Sequence, residues 1–189
     1  MNLPNKLTIG RLVLTIFFVA CLSMDFPFSR TAALALFLLA SFTDYLDGML
    51  ARRHGWITDF GKLMDPLADK VLTAAAFICL IPFHAIPAWV VIAIIAREFL
   101  ITGLRLLAGA KGVVLPAEKL GKHKTGWQMA TIIFFLLLLS LSEWSAERFA
   151  WIDPTWKWLG GTLVVVTTVL TVYSGARYFW NNRSLIATA

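Results

Sequence analysis

Long apolar segments alternate with short polar segments along the whole chain. Six of the apolar segments are interpreted as helices that cross a membrane, because each approaches the roughly 20 residues that span a hydrocarbon core. The polar segments between them are rich in Pro, Gly and Asp, which is typical of turns between helices. The predicted spans are Leu7–Ser23, Thr31–Arg53, Leu67–Phe83, Ile86–Leu107, Thr125–Ser142 and Trp158–Trp180.

This pattern predicts an all-α, polytopic membrane protein with six transmembrane helices and a short N-terminal interfacial segment. The sequence contains no repeat or polar linker, so residues 1–189 are interpreted as a single membrane domain. Pro66 is expected in the first turn of the third helix, where its missing amide proton costs little. Four tryptophans crowd the segment before the last span, as in an aromatic belt at a bilayer surface. They are Trp144, Trp151, Trp156 and Trp158.

The composition argues against a soluble domain. The chain is 59% hydrophobic and 15% charged, which leaves too little polar surface to cover a core in water. Cys21 and Cys79 lie inside apolar segments without a ligand spacing, so we expect buried thiols and no disulfide framework. Phe18 fits poorly in a lipoprotein cleavage motif ending at Cys21, so the first segment is expected to stay as the first membrane helix.

The formal net charge of +6 is distributed unevenly. With the amino terminus in the cytoplasm, only three of the 17 Lys and Arg residues fall on the opposite side, namely Arg30, Arg148 and Lys157. Because cationic loops favour the cytoplasmic side, both termini and the candidate site are predicted to face the cytoplasm. The expected location is a bacterial-type inner membrane. The lipid bilayer is the expected surrounding, and no nucleic-acid partner is indicated.

Four aspartates stand at the predicted cytoplasmic ends of the second and third spans: Asp44, Asp47, Asp65 and Asp69. Spacings of three and four residues place each pair on one helical face. A carboxylate at the bilayer centre costs about 2.5–3.5 kcal/mol and less near the interface. Four carboxylates that converge also repel one another, so cations or water must stabilise them.

Small residues accompany these acids, since Gly48, Ala51 and Gly61 continue the same faces and leave open volume. Salt bridges at helix ends would explain the charges but not that volume. An all-oxygen ligand set suits Mg²⁺ or Mn²⁺, with Ca²⁺ as a further candidate, and disfavours zinc. Two such ions can hold both the attacking and the leaving oxygen of a displacement at phosphorus. Arg52 is placed to pair with a phosphate.

The pattern D-x-x-D-G-x-x-A-R-x8-G-x-x-x-D-x-x-x-D, from Asp44 to Asp69, resembles the signature of the CDP-alcohol phosphotransferase family at every fixed position. The resemblance implies two divalent ions held by the four aspartates, CDP-diacylglycerol as donor and CMP as leaving group. It also implies that Asp69 is the general base on the acceptor hydroxyl. The residues expected against the nucleotide lipid are Asn5, Thr8, Asp44, Gly48, Arg52 and Gly61. Arg11 continues the spacing of Asn5 and Thr8 in the segment that the resemblance places near the nucleotide, and helix capping with interface anchoring is an equal alternative for these three residues.

Three further stretches, at 2–11, 96–105 and 120–125, resemble the phosphatidylglycerophosphate synthase branch of that family. The resemblance implies sn-glycerol 3-phosphate as acceptor and a homodimer. A dianionic phosphate needs cations of its own, and those expected here are Arg97, Arg105, Lys122 and Lys124. Ordinary cationic loops are the alternative for these residues. Inositol phosphate or serine remains an alternative acceptor.

A carboxylate-based ion transporter is the alternative from another functional class. Transporters place their acids near the membrane midplane, often within inverted repeats. Here the acids cluster at one boundary, and the sequence has no internal repeat. A prenyl-transferring enzyme would need a second aspartate-rich motif, which the chain lacks outside residues 44–69. The sequence therefore favours phosphatidyl transfer.

Overall fold

The computed structural model describes residues 3–54, 59–113, 119–144 and 153–183. Helices account for nearly all of these residues, and this part of the chain contains no strand. The helices are α1 (Leu3–Ser23), α2 (Ser29–His54), α3 (Asp59–Leu80), α4 (Ala88–Ala110), α5 (Lys119–Trp144) and α6 (Asp153–Asn181). The prediction of an all-α fold is confirmed.

The third helix differs most from its predicted bounds. It begins at Asp59 rather than Leu67, so Pro66 lies well inside α3 and its predicted place in the first turn is wrong. The predicted span followed the start of the apolar segment, whereas residues 59–66, three of which are charged, belong to the same helix. A proline inside a helix removes one backbone hydrogen bond, and α3 accommodates that loss.

Two helices in the described ranges are long and apolar enough to cross a membrane by length and composition: His123–Trp144 in α5 and Trp156–Asn181 in α6. In α4 the apolar sequence is interrupted by Arg97, Glu98 and Arg105. Charges of this kind lower the mean hydropathy of the helices that carry the candidate site. Six membrane spans therefore stay a prediction, while the helical architecture on which they depend is present.

The core lies where α1 packs against α2 and α3, and where α5 packs against α2 and α6. Large buried side chains fill it, including Phe18, Phe37, Phe77 and Leu136. The rings of Phe18 and Phe37 lie 5.7 Å apart and are tilted by 49°. Helix α4 joins the bundle mainly through α6. The core thus holds α1, α2 and α3 together, and it adjoins the segments of α2 and α3 that carry the acids.

Helix α5 caps the beginning of α2 through Glu143. Its carboxylate accepts hydrogen bonds from the backbone amides of Arg30 and Thr31, each at 2.9 Å, and from the Thr31 hydroxyl at 2.9 Å. The first amides of a helix have no partner within the helix, and an anion is stabilised there. This contact fixes α5 to α2 about 20 Å along α2 from Asp44.

Helices α5 and α6 run antiparallel and meet through buried hydroxyls. Thr131 and Thr167 are both buried, and their hydroxyl oxygens lie 2.8 Å apart. Closer to the start of α6, Gly160 lies against the ring of Phe135. Small residues and hydroxyl pairs of this kind allow close helix packing within a membrane. The register brings the beginning of α5 beside the second half of α6.

Candidate active site

The first half of the site joins α1 to α2. Thr8, Arg11 and Thr15 follow one face of α1 and are all buried. Arg11 forms an ion pair with the carboxylate of Asp44 on α2. The Thr15 hydroxyl donates to the Arg11 carbonyl at 2.8 Å. Since an arginine inside an apolar bundle needs a counter-ion, this pair explains how one predicted acid is stabilised.

Asp69 contributes a second carboxylate from α3. It lies within electrostatic range of Asp44 and Arg11, and also of Glu98 and Lys124. Its side chain is half-buried. Asp69 therefore lies near both the α1–α2 ion pair and the charged residues of α4 and α5.

The other half of the site is centred on Glu98 of α4. Lys124 of α5 forms an ion pair with Glu98 Oε1. Arg97 Nη1 donates to the same oxygen at 3.2 Å. Only 3% of the Lys124 side chain is exposed, and 13% of the Arg97 side chain. Two cations therefore share one carboxylate oxygen in a largely dry setting.

Helix α6 makes room for Arg97. A Cβ atom built at Gly175 would lie 2.8 Å from Arg97 Cγ, which is closer than real Cβ contacts. Arg97 Nη2 donates to the Ser174 hydroxyl at 3.3 Å. Glycine at 175 is therefore required by the close approach of the arginine stem, and the neighbouring serine holds its far end.

Two more cations border this cluster. Lys70, next to Asp69, donates to the Thr102 hydroxyl, which in turn donates to the Glu98 carbonyl at 2.8 Å. Arg105 Nε donates to the Tyr178 hydroxyl at 3.3 Å, and its guanidinium carbon lies 5.7 Å from the centre of that ring. Lys70 is within electrostatic range of Arg105. The cations thus form one continuous region.

The described side chains of this network include five cations and three carboxylates. Cations gathered in this way attract anions. The cations are Arg11, Lys70, Arg97, Arg105 and Lys124, and the carboxylates are Asp44, Asp69 and Glu98.

The predicted site residues whose side chains the structure describes are Thr8, Asp44, Asp69, Arg97, Arg105 and Lys124. Of these, Asp44 and Lys124 lie within electrostatic range of Asp69, and Arg97 and Lys124 share Glu98. The side chains of Asn5, Asp47, Gly48, Arg52, Gly61, Asp65 and Lys122 lie outside the described part, although their helices are placed. The roles predicted for the second set stay predictions.

Several residues of the cluster were not predicted from the sequence as site residues: Lys70, Glu98, Thr102, Ser174, Gly175 and Tyr178. A signal for α6 was present, because Thr167, Thr171, Ser174 and Tyr178 recur at spacings of four and three residues within an apolar helix. All four are buried. A polar stripe inside an apolar helix indicates a polar neighbour. For Glu98, the sequence offered no signal that its partner would come from α5.

A separate apolar cavity of about 710 Å³ lies between α4, α5 and α6, and its lining includes Phe83, Trp89, Phe135 and Trp156. None of the predicted site residues lines it. It adjoins the beginnings of α4 and α6, away from the carboxylates. The charged cluster and this cavity are therefore different features of the molecule.

Comparisons with known proteins agree with this chemistry. The family described as CDP-alcohol phosphatidyltransferase matches residues 1–176. A Bacillus subtilis protein named CDP-diacylglycerol–glycerol-3-phosphate 3-phosphatidyltransferase is 39% identical over all of this chain and 98% of its own length. A Rickettsia bellii protein of the same name is 34% identical over 94% of this chain and 93% of its own length. A Mycobacterium tuberculosis protein named probable phosphatidylglycerophosphate synthase is 42% identical over 74% of this chain and 68% of its own length.

Proposed function

The chain belongs to the CDP-alcohol phosphatidyltransferase family, and on this premise we propose that it transfers a phosphatidyl group from CDP-diacylglycerol to sn-glycerol 3-phosphate. The products are phosphatidylglycerophosphate and CMP. The names of the relatives support both substrates. The cluster of Arg97, Arg105 and Lys124 supports an acceptor that carries a dianionic phosphate, since serine would bring no such charge.

Arg97, Arg105 and Lys124 are the residues assigned to the acceptor phosphate, together with Lys122. The first two reach the cluster from α4, and Lys124 reaches it from α5. Arginine suits this role because its planar group binds two phosphate oxygens at once. Tyr178 orients Arg105 through their hydrogen bond, as Ser174 orients Arg97.

Two divalent cations, Mg²⁺ or Mn²⁺, are assigned to Asp44, Asp47, Asp65 and Asp69. The donor set fits them, because it is all oxygen and because Asp44 and Asp69 approach each other from different helices. Asp47 and Asp65 lie one helical turn from those two along α2 and α3. When bound, the ions would neutralise negative charge on the phosphates of the nucleotide lipid and hold these phosphates near the acceptor.

The reaction is assigned as a direct attack at phosphorus. A hydroxyl of glycerol 3-phosphate forms the new oxygen–phosphorus bond, the bond to the bridging oxygen breaks, and CMP leaves. Asp69 takes the proton of the attacking hydroxyl. The electrostatic influence of both Asp44 and Glu98 on Asp69 supports this role, because Asp44 is assigned to the donor and Glu98 contacts the cations assigned to the acceptor. Thr8, Gly48, Arg52, Asn5 and Gly61 hold the nucleotide lipid.

We further propose that the enzyme lies in the inner membrane as a homodimer. Exposed apolar side chains on α4 and α6, such as Trp89, Phe99 and Trp180, support contact with lipid. The uneven distribution of Lys and Arg supports an inner-membrane location with both termini in the cytoplasm. The assembly is assigned as a homodimer by family resemblance.

Competition between labelled acceptors tests the proposed reaction. Purified protein in lipid is given CDP-diacylglycerol with glycerol 3-phosphate, serine or inositol phosphate, and the lipid products are separated. We expect product from glycerol 3-phosphate alone, and loss of that product after chelation with recovery on adding Mg²⁺ or Mn²⁺. Product from another acceptor alone would overturn the assignment of the acceptor. Full activity after thorough chelation would overturn the assignment of the metal ions.

A further inference from the structure

Glu98 is the carboxylate that joins the two most buried cations of the proposed acceptor site. Its Oε1 atom is shared by Lys124 and by Arg97 Nη1. Lys70 and Asp69 are also within electrostatic range of it. An anion with one negative charge therefore occupies the space between the cations that are assigned to the phosphate of the substrate.

The hydrogen-bonding capacity of these cations is incompletely used. Arg97 Nε is buried and has no hydrogen-bond partner among the described residues. Glu98 accepts from Arg97 through a single oxygen at 3.2 Å, although a carboxylate can bind a guanidinium through two. A group with more oxygens and more charge would satisfy Arg97 and Lys124 better than Glu98 does.

We propose that Glu98 is a specificity-determining residue, whose carboxylate takes the place of the acceptor phosphate between Arg97 and Lys124 until the substrate displaces it. This inference rests on the proposed role of Arg97 and Lys124 in binding the acceptor. A phosphate dianion competes successfully with a carboxylate for two cations. An acceptor without a phosphate, such as serine, does not neutralise the positive charge of Arg97 and Lys124. The contacts of Glu98 with these two residues then stay intact. Rejection of an acceptor without a phosphate thus comes from a contact that only a strong anion breaks.

Glu98→Gln is the variant that tests the proposal, because it keeps the shape of the side chain and removes its charge. With the competing anion gone, the KM for glycerol 3-phosphate is expected to fall about three- to tenfold. Inorganic phosphate should inhibit the variant at correspondingly lower concentration, and the KM for CDP-diacylglycerol should stay within about twofold. If Glu98 merely held the helices together, its loss would instead raise the KM for glycerol 3-phosphate or leave it unchanged.

Thermal unfolding gives a readout that does not depend on turnover. Without ligand, Glu98→Gln should unfold at a lower temperature than the wild type, because Lys124 loses its counter-ion. Inorganic phosphate should then stabilise the variant more than it stabilises the wild type, since only ligand supplies the missing charge. An equal or smaller shift with phosphate would overturn the proposal.

Two further variants serve as controls. Glu143→Gln removes a carboxylate that also joins two helices, but at the other end of α2, so it should lower stability without lowering the KM for glycerol 3-phosphate. Glu98→Asp keeps the charge on a shorter side chain, so its contact with Lys124 is weaker. It should change the KM in the same direction as Glu98→Gln and by less. If Glu98→Gln does not accumulate, Glu98→Asp takes its place: a lower KM for glycerol 3-phosphate supports the role of Glu98 as a competing anion, and an equal or higher KM overturns it.

The proposed acceptor site and the proposed role of Glu98 are tested by different variants. If Arg97→Ala and Lys124→Ala leave the KM for glycerol 3-phosphate unchanged, these residues do not bind the acceptor and the proposed site is wrong. If both variants raise that KM while Glu98→Gln raises it too, the site stands and the role of Glu98 as a competing anion is wrong.

Discussion

Substitution of Gly175 by alanine tests whether the position of Arg97 matters for the acceptor. The added Cβ would lie 2.8 Å from Arg97 Cγ, whereas carbon atoms in contact prefer about 3.5–4.0 Å. The arginine stem must therefore move by at least about 0.7 Å. Cγ is close to the backbone, so the stem cannot move without displacing the guanidinium. The bond from Arg97 Nη2 to the Ser174 hydroxyl, already 3.3 Å long, is the first contact to be lost.

Two effects on stability oppose each other in Gly175→Ala. Overpacking costs about 1–3 kcal/mol, and alanine gains about 1 kcal/mol over glycine within a helix. The net loss of stability is therefore small, between zero and about 2 kcal/mol. The effect on binding of the acceptor is larger. If the displaced guanidinium of Arg97 loses a hydrogen bond to the acceptor phosphate, the cost is about 1.5–3 kcal/mol, which corresponds to about a ten- to hundredfold higher KM for glycerol 3-phosphate.

The assay is steady-state transfer at varied glycerol 3-phosphate with saturating CDP-diacylglycerol, followed by the reverse variation. Gly161→Ala on the same helix is the matched control, because a Cβ there meets nothing within 4 Å. The control should behave as the wild type in both KM values. If Gly175→Ala showed the same KM for glycerol 3-phosphate as Gly161→Ala, the placement of Arg97 would be irrelevant to acceptor binding and the reasoning would be refuted.

Three further substitutions probe the remaining parts of the site and the fold. Asp69→Asn should reduce turnover to background while binding of CDP-diacylglycerol, measured by equilibrium titration, is largely retained; normal turnover would exclude Asp69 as the base. Arg105→Ala should raise the KM for glycerol 3-phosphate about tenfold or more and affect that for CDP-diacylglycerol much less; equal effects on both substrates would contradict an acceptor role. Glu143→Ala should lower the unfolding free energy by about 1–2 kcal/mol through loss of the α2 cap, with unchanged KM values in the folded fraction; undiminished stability would show that the cap is unimportant.

The helices could be predicted because apolar segments and turn residues alternate so regularly along this chain. The start of α3 was predicted too late, since Pro66 was placed in the first turn and the apolar segment was taken to begin at Leu67. Residues 59–66 include three charged residues and a proline, yet they belong to the helix. Hydropathy records which residues favour lipid, and it does not record where the backbone hydrogen bonds of a helix begin.

The acids of the site could be predicted because their spacing is local to two helices. Their partners could not, because Arg11 meets Asp44 and Lys124 meets Glu98 only when distant parts of the chain pack together. The sequence indicated that Lys124 could bind an anion, but not that an anion of the same chain already lies against it. Pairings between helices depend on rotation and register, which the pattern of a single helix does not determine.

The ion pairs between helices also constrain the order in which this protein can assemble. Arg11 is synthesised on α1 before α2 brings Asp44, and Glu98 is synthesised on α4 before α5 brings Lys124. A charge that is buried without its partner is costly. We therefore expect α1 and α4 to pack fully only after α2 and α5 have been made, and a chain truncated after α4 to carry Glu98 without Lys124.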